Sequence, residues 1–208
     1  MYMEDRLKII GSGKVSIGIM PGHFATNHSH VNFYVDMTSI KTSCKMAEEA
    51  AQELAAAVSG TYIDTIVCLE GTEILAAFLA RDLSQSGINK GSDISLVTPE
   101  TNSVNQMIFR DNVQKKIWGK KVLVLVSSAS TGKSINRAYE CMRYYNGQLV
   151  GIAAIFSAID EVNGIKVNAI FTEEDLPHYV NYLPGECPMC ANGMKVDALI
   201  NSFGYSKL

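Results

Sequence analysis

No apolar run in this chain approaches the roughly 20 residues that a membrane-spanning helix needs, so a helical integral membrane protein is excluded. The opening MYMEDRLKII carries acidic residues and no long apolar segment, and it does not read as a secretory signal. An excess of one charge is also missing. The 18 Lys and Arg stand against 21 Asp and Glu, a net charge of −3, which offers no global positive field for nucleic acid. Proline is scarce, at 5 residues, and there is no internal repeat, low-complexity tract or Pro-rich linker. The cysteines number 5, an odd count, and are scattered. Reduced thiols and a cytoplasmic location are the expectation. The 208 residues, 47% of them hydrophobic, suffice for a single domain with an ample core.

What is present centres on Lys120 to Ser134, KKVLVLVSSASTGKS. Val122 to Val126 is an unbroken run of Val and Leu, the pattern of a strand buried on both faces of a parallel sheet. Small hydroxylated residues follow from Ser127 to Thr131, then Gly132, and a helix-compatible segment begins near Lys133. A strand, a small-residue loop and a helix N-terminus together hold phosphate. Free N–H groups and the positive end of the helix dipole face the anion, and small side chains let the backbone approach it.

The rest of the chain repeats this alternation. Val15 to Met20 reads as a short strand, and Val31 to Asp36 alternates like a half-exposed one. Ser43 to Val58 is rich in Ala, Glu, Gln, Lys and Leu, and Gly60 stops it, which predicts a helix. Ile63 to Leu69 is a buried strand, Glu70-Gly71-Thr72-Glu73 a turn, and Ile74 to Leu83 a helix. Further strands are predicted over 93–97, 149–159 and 165–171, a helix over 135–145, and a turn at Asn163-Gly164. Thr98 to Gln106 is polar and turn-rich, the best candidate for a mobile loop. The predicted class is α/β, a central parallel sheet flanked by helices. Ligands of such sheets bind at the carboxyl ends of the strands, where the 69–73 and 127–134 loops should both lie.

Two motifs suggest metals without completing a site. His28-x-His30 places both side chains on one face of a strand, but no carboxylate or cysteine lies nearby in sequence, and loop or substrate contacts are the simpler reading. Cys187-Pro188-Met189-Cys190 is half of a zinc site, and no second pair follows. His178 or a second chain could complete it, but free thiols in a turn are the plainer assignment, and no protein ligand to a metal is assigned. Cys44, Cys68 and Cys141 fall in helix or strand patterns and read as core.

The phosphate loop admits two readings. Ser127 to Ser134, SSASTGKS, matches a nucleotide-hydrolase P-loop except that Ser127 replaces the leading Gly, and Asp160 closes a later strand as a magnesium anchor would. Ser carries a Cβ where that loop turns sharply, and about 120 residues precede a strand that such domains place first. Alternatively, VLVLVSSASTGKS resembles the phosphoribosyl-pyrophosphate motif of type I phosphoribosyltransferases. Gly22-His23-Phe24, Thr26, His30 and Tyr34 look like the N-terminal segment of orotate phosphoribosyltransferases. Ile66 to Leu79, IVCLEGTEILAAFL, looks like their strand, pyrophosphate loop and helix, and Leu149 to Asp160 like their next core strand. Cys187-Pro188-x-Cys190 is similar to the tail of some bacterial orotate enzymes. The resemblance spans nearly the whole chain in the right order.

It implies one phosphoribosyltransferase-like domain over 1–208, with a core of about 41–171 and a hood from 1–40 and 172–208. It also implies transfer of phosphoribose to orotate or another small base, with Mg2+ as cofactor. Ser128, Ala129, Ser130, Thr131, Gly132, Lys133 and Ser134 would cradle the 5-phosphate, and Glu70, Gly71 and Thr72 would meet the pyrophosphate. His30 and Tyr34 are base-side candidates, and no catalytic residue is assigned. Three departures stand out. The family's two ribose-binding carboxylates fall on Val126 and Ser127. The 98–106 loop has no basic residue, Arg110, Lys115 and Lys116 being nearest. The Lys of the N-terminal segment falls on Ser29. A non-catalytic sensor of phosphoribosyl pyrophosphate or a nucleotide is therefore the alternative from another class. The resemblance, with apolar surface expected to be exposed over 31–46, suggests a homodimer with small-molecule ligands, no nucleic acid and no membrane.

Overall fold

The structure is a computed structural model that describes residues 6–103 and 106–208. The chain opens with β1 (Lys8–Ser12), β2 (Val15–Ala25) and β3 (His30–Asp36), then α1 (Thr38–Thr42) and α2 (Cys44–Val58). The central stretch holds β4 (Thr65–Cys68), α3 (Glu73–Gln85), β5 (Ser95–Val97), the short pair β6 (Glu100–Thr101) and β7 (Met107–Ile108), and α4 (Asp111–Gln114). It continues with β8 (Lys121–Ala129), α5 (Lys133–Tyr144), β9 (Gln148–Ser157), β10 (Glu161–Val162) and β11 (Ile165–Thr172). The chain closes with β12 (Asn181–Tyr182), α6 (Pro188–Ala191), β13 (Ala198–Asn201) and β14 (Gly204–Lys207).

Two sheets carry the molecule. One runs β10-β11-β9-β8-β4-β5. Its five longer neighbours pair in parallel and β10 adds an antiparallel edge. The other runs β12-β3-β2-β13-β14, with β1 also on β2, so it combines strands from both ends of the chain. In the first sheet Val122 to Val126 has no solvent exposure, as an unalternating apolar run requires in a sheet covered on both faces. Helix α2 begins where Ser43 accepts from the Met46 N–H at 3.4 Å, an N-cap in the usual sense. It buries Ala47, Ala50, Ala51, Leu54 and Val58, an i, i+3, i+4, i+7 stripe, against Leu75, Leu79 and Leu83 of α3. Truncating such a buried leucine to alanine costs about 2–5 kcal/mol.

The crossovers decide where a ligand can enter. From β4 the chain passes through α3 to β5 on one side; from β8 it passes through α5 to β9 on the other. The strand order therefore reverses between β4 and β8, and a crevice opens beyond their carboxyl ends. The loops 69–72 and 130–132 flank it.

Several local expectations are revised. The strand predicted over 15–20 extends to Ala25 across a register shift between Pro21 and Phe24. Cys44 is exposed at the start of α2 rather than in the core. Apolar side chains of 31–46 other than Cys44 are buried or half-buried, because Phe33, Val35, Met37 and Met46 pack on the main core. Large exposed apolar side chains occur instead at Trp118, Tyr144 and Phe203. The stretch expected to be a mobile loop includes 104 and 105, which lie outside the described residues; its flanks pair as β6 and β7. Asn163 and Gly164 both take positive φ, 54° and 74°, as a two-residue hairpin turn between β10 and β11 demands.

Candidate functional site

A cavity of about 440 Å³ lies over the switch point. Its floor is the end of β8 and the start of α5, residues 127–135, with Glu70 and Gly71 from the loop after β4. The 26–29 loop between β2 and β3, the Lys41 region of α1 and the β13–β14 turn at 200–204 close it from the second sheet. Among the described lining residues the charged groups are Lys41, Glu70, Lys133 and Arg137, so cations outnumber carboxylates three to one, which suits an anionic ligand.

The α5 side of the cavity follows from backbone geometry. Gly132 caps α5 with φ 69°, a left-handed conformation that glycine enters at no steric cost. A Cβ there would sit 3.1 Å from both Ile159 Cδ1 and Val162 Cγ2. The first-turn N–H groups of α5 have no intrahelical acceptor, and Ser130, Thr131, Lys133 and Ser134 surround them in the cavity wall. Arg137 follows one turn after Lys133, and its Nη2 lies 3.0 Å from His28 Nε2. A guanidinium only donates, so His28 Nε2 accepts and the imidazole is neutral. Its pKa is pushed down first by burial, then by Arg137 and Lys133.

Glu70 occupies the centre. Its backbone takes φ 60°, an uncommon conformation for a residue with a Cβ and one that clusters at functional sites. Its Oε2 accepts from the Ser127 hydroxyl at 2.8 Å and is met by the Ser128 N–H at 3.4 Å. The Lys41 ammonium donates to the Glu70 carbonyl at 2.8 Å and to the Ser202 carbonyl at 2.6 Å. Burial lowers the Lys41 pKa, while Glu70, Glu73 and Asp36 act in the opposite sense. On the far wall Ser130 shares a hydrogen bond with the Tyr179 hydroxyl at 3.1 Å. Tyr34 lines the cavity, and burial, then Asp36, pushes its hydroxyl up to about 12.

All of 127–134 lines the cavity, together with Glu70, Gly71 and Tyr34. Three of the residues expected at the phosphoribosyl site lie elsewhere. Val126 has no exposure and belongs to the core under β8, because alternate side chains of a central strand point into opposite buried faces. Thr72 is buried, and its hydroxyl donates to the Leu69 and Leu125 carbonyls, which braces the turn instead of facing a ligand. His30 leaves the cavity and joins His23, Cys187 and Cys190, whose ligand atoms lie within 4.8 Å of one another. The four groups could hold a metal ion, and His178 is not among them. Asp160, the magnesium anchor of the P-loop reading, is exposed after β9 and outside the cavity lining. Arg110 is engaged with Glu100 at 2.6 Å.

Lys41, Arg137, Tyr179 and Phe203 escaped the sequence reading. Arg137 alone had a local signal, four residues after Lys133 on the same helix face. The others reach the cavity from elements distant in sequence.

No protein-family model matches the chain. Curated relatives do. The orotate phosphoribosyltransferase of Desulforamulus reducens is 27% identical over 193 residues, covering 91% of this chain and 94% of that protein. The orotate phosphoribosyltransferase of Pyrococcus horikoshii is 31% identical over 178 residues, covering 81% and 85%. Among solved structures, orotate phosphoribosyltransferase from Aeropyrum pernix superposes with a TM-score of 0.52 at 19% identity over 76% of this chain and 90% of that one, a likeness of fold. With a relative 31% identical over 81% of its length, the chain belongs to the orotate phosphoribosyltransferase family of type I phosphoribosyltransferase fold.

Proposed function

We propose that the protein transfers phosphoribose from phosphoribosyl pyrophosphate to orotate or another small base, a glycosyltransferase reaction. The observation that carries this reading is the Glu70–Ser127 contact. The family's ribose-side carboxylates are replaced by Val126 and Ser127 here, and Glu70 brings a carboxylate back to Ser127 from the neighbouring loop.

The chemistry follows. The 5-phosphate sits on the α5 N-terminus, held by N–H groups, the hydroxyls of Ser130, Thr131 and Ser134, and the charges of Lys133 and Arg137. The C1–O bond to pyrophosphate breaks as the base nitrogen bonds to C1. Pyrophosphate leaves with the electron pair, and the nitrogen loses its proton. Positive charge develops on the ribose ring, and the Glu70 carboxylate lies where it would stabilise that charge or grip the ribose hydroxyls. Lys41 uses two of its three donors on carbonyls, and the third would meet the departing pyrophosphate. Catalysis then rests on positioning and charge neutralisation. Mg2+ fits this site in the manner usual for phosphate substrates, through one protein carboxylate and the substrate's own oxygens. Glu70 would hold it, and it would supply charge to the leaving group.

The protein is further proposed to act in the cytoplasm as a homodimer. No described helix is long and apolar enough to cross a membrane, and the exposed side chains of Trp118 and Tyr144 offer apolar surface for a second copy.

Pyrophosphate release from phosphoribosyl pyrophosphate and Mg2+, measured with orotate, uracil, adenine and hypoxanthine, tests the reading. Release with orotate supports it. Release with no base, alongside a thermal shift on adding phosphoribosyl pyrophosphate, would leave the non-catalytic sensor, which the uncharged Val126 and Ser127 favour.

A further inference from the structure

We propose that His23, His30, Cys187 and Cys190 bind one structural Zn2+ per chain. His23 and His30 are on the neighbouring antiparallel strands β2 and β3. Cys187 and Cys190 come from the start of α6, more than 150 residues later. The separations are 3.0 Å for His23 Nε2 to His30 Nδ1, 3.6 Å for Cys187 Sγ to His23 Nε2, 3.7 Å for Cys190 Sγ to His23 Nε2, and 3.3 Å for Cys190 Sγ to His30 Nδ1. A tetrahedron with metal–ligand bonds of about 2.0–2.3 Å has edges of about 3.3–3.8 Å. Four of the six edges match that arrangement to within a few tenths of an ångström, and the remaining two lie within 4.8 Å.

Hydrogen bonding alone does not account for it. The Nδ1 of His23 lies 3.0 Å from the Met194 carbonyl. A carbonyl only accepts, so the proton is on Nδ1 and Nε2 faces the cluster with its lone pair. This is the outer-sphere arrangement that orients a metal-bound histidine. The His30 nitrogen and both sulfurs converge on that one lone pair, which has room for a single donor. A cation uses all four groups at once. Two thiolates and two neutral imidazoles around Zn2+ sum to zero charge, which suits a centre where His23 and Cys187 are buried. Four protein ligands leave no open position, the mark of a structural site.

The surrounding chain needs such a clamp. From Leu183 to Lys195 only Cys187 is buried, so this stretch has almost no apolar core of its own. Its backbone folds into a tight knuckle, with Ala191 N–H on the Cys187 carbonyl at 3.1 Å and Gly193 N–H on the Cys190 carbonyl at 2.9 Å. A metal ties the knuckle to β2 and β3, as it does in small domains whose cores are insufficient. His23 and His30 bracket the 26–29 loop, and the knuckle feeds β13 and the 200–204 turn. Both segments line the substrate cavity, so the ion braces two cavity walls from outside the cavity.

Elemental analysis of the full chain, purified anaerobically from zinc-supplemented medium, tests this independently of catalysis. One zinc per chain is expected. Cobalt substitution should give the visible bands of tetrahedral coordination with thiolate charge transfer. Cys190→Ser, at an exposed position, should hold less than a tenth of an equivalent, while Cys44→Ser keeps the full complement. Chelation should lower the melting temperature of the wild type and leave that of Cys190→Ser unchanged. The proposal is overturned by wild-type protein with less than a tenth of an equivalent and no thermal response to added zinc. It is equally overturned by half an equivalent shared between copies, or by a Cys187–Cys190 disulfide in the anaerobic preparation. If Cys190→Ser fails to fold, the wild-type stoichiometry and cobalt spectrum still decide the matter.

Discussion

The Ser127 hydroxyl donates to the Glu70 carboxylate across 2.8 Å, joining the loop after β8 to the loop after β4. One negative charge is thereby kept beside Ser127, and in the proposed reading it stands in for the acidic pair that Val126 and Ser127 replace. Glu70→Gln preserves the shape and removes the charge. It should lower kcat for phosphoribosyl transfer by about 10²-fold, the usual scale for losing one preorganised electrostatic group. Adding Ser127→Asp to that variant should restore part of the rate, because the charge returns on the facing loop. Ser127→Asp alone should not raise activity, since two carboxylates would compete for one site. Pyrophosphate release by the three variants checks this.

Returning a carboxylate at Val126 is expected to fail for a different reason. That side chain has no exposure and is packed among apolar residues. Val126→Asp should destabilise the fold by at least about 3 kcal/mol, read as a lower denaturation midpoint in urea.

Gly132→Ala should cost about 1–2 kcal/mol for a side chain in the left-handed region. The Cβ would also crowd Ile159 and Val162 at 3.1 Å. The strain falls on the 130–132 loop, the proposed phosphate site, so KM for phosphoribosyl pyrophosphate should rise along with the loss of stability. Urea denaturation and steady-state kinetics give the two readouts.

Lys41 sets an alkaline limit. Its pKa in the folded chain is lowered, mainly by burial, so the ammonium is lost below the ordinary lysine range. KM for phosphoribosyl pyrophosphate should therefore climb as pH rises through that lowered value, and Lys41→Arg should postpone the climb. Stability of the unliganded chain moves the other way. Between the lowered pKa and 10.5 the unfolded chain binds more protons at this group, so its contribution to stability rises with pH. A KM–pH profile and urea midpoints across the same range separate the two effects.

Phe203 is 90% exposed at the tip of the β13–β14 turn and lines the cavity. An aromatic face there can stack on a base for about 1–3 kcal/mol. Phe203→Ala should raise KM for the base roughly tenfold and leave the melting temperature unchanged, because the side chain has little packing to lose.

Much of the fold was legible because its signals are local. Val122 to Val126 announces a doubly buried strand by lacking polar alternation, Ser43 to Val58 is rich in helix formers and stopped by Gly60, and Asn163-Gly164 suits a turn. The strand, small-residue loop and helix of 122–144 were legible on the same grounds, and all of 127–134 lines the cavity. Val126 was legible twice over, as a departure from the family and, within the unalternating run, as a residue of a doubly buried strand.

The sequence by itself determined the strand–loop–helix units, the parallel sheet and the glycine-capped loop of 127–134, because backbone hydrogen bonding and apolar periodicity act over a few residues. The tertiary structure decided the rest. It set Glu70 beside Ser127, ran Lys41 between the Glu70 and Ser202 carbonyls, and moved His30 from the base side to a cluster with His23, Cys187 and Cys190. These partners are separated by tens to more than a hundred residues, and no local pattern encodes such a distance. Each meeting depends on which strands become neighbours, and that is settled by how the two sheets bury their faces together.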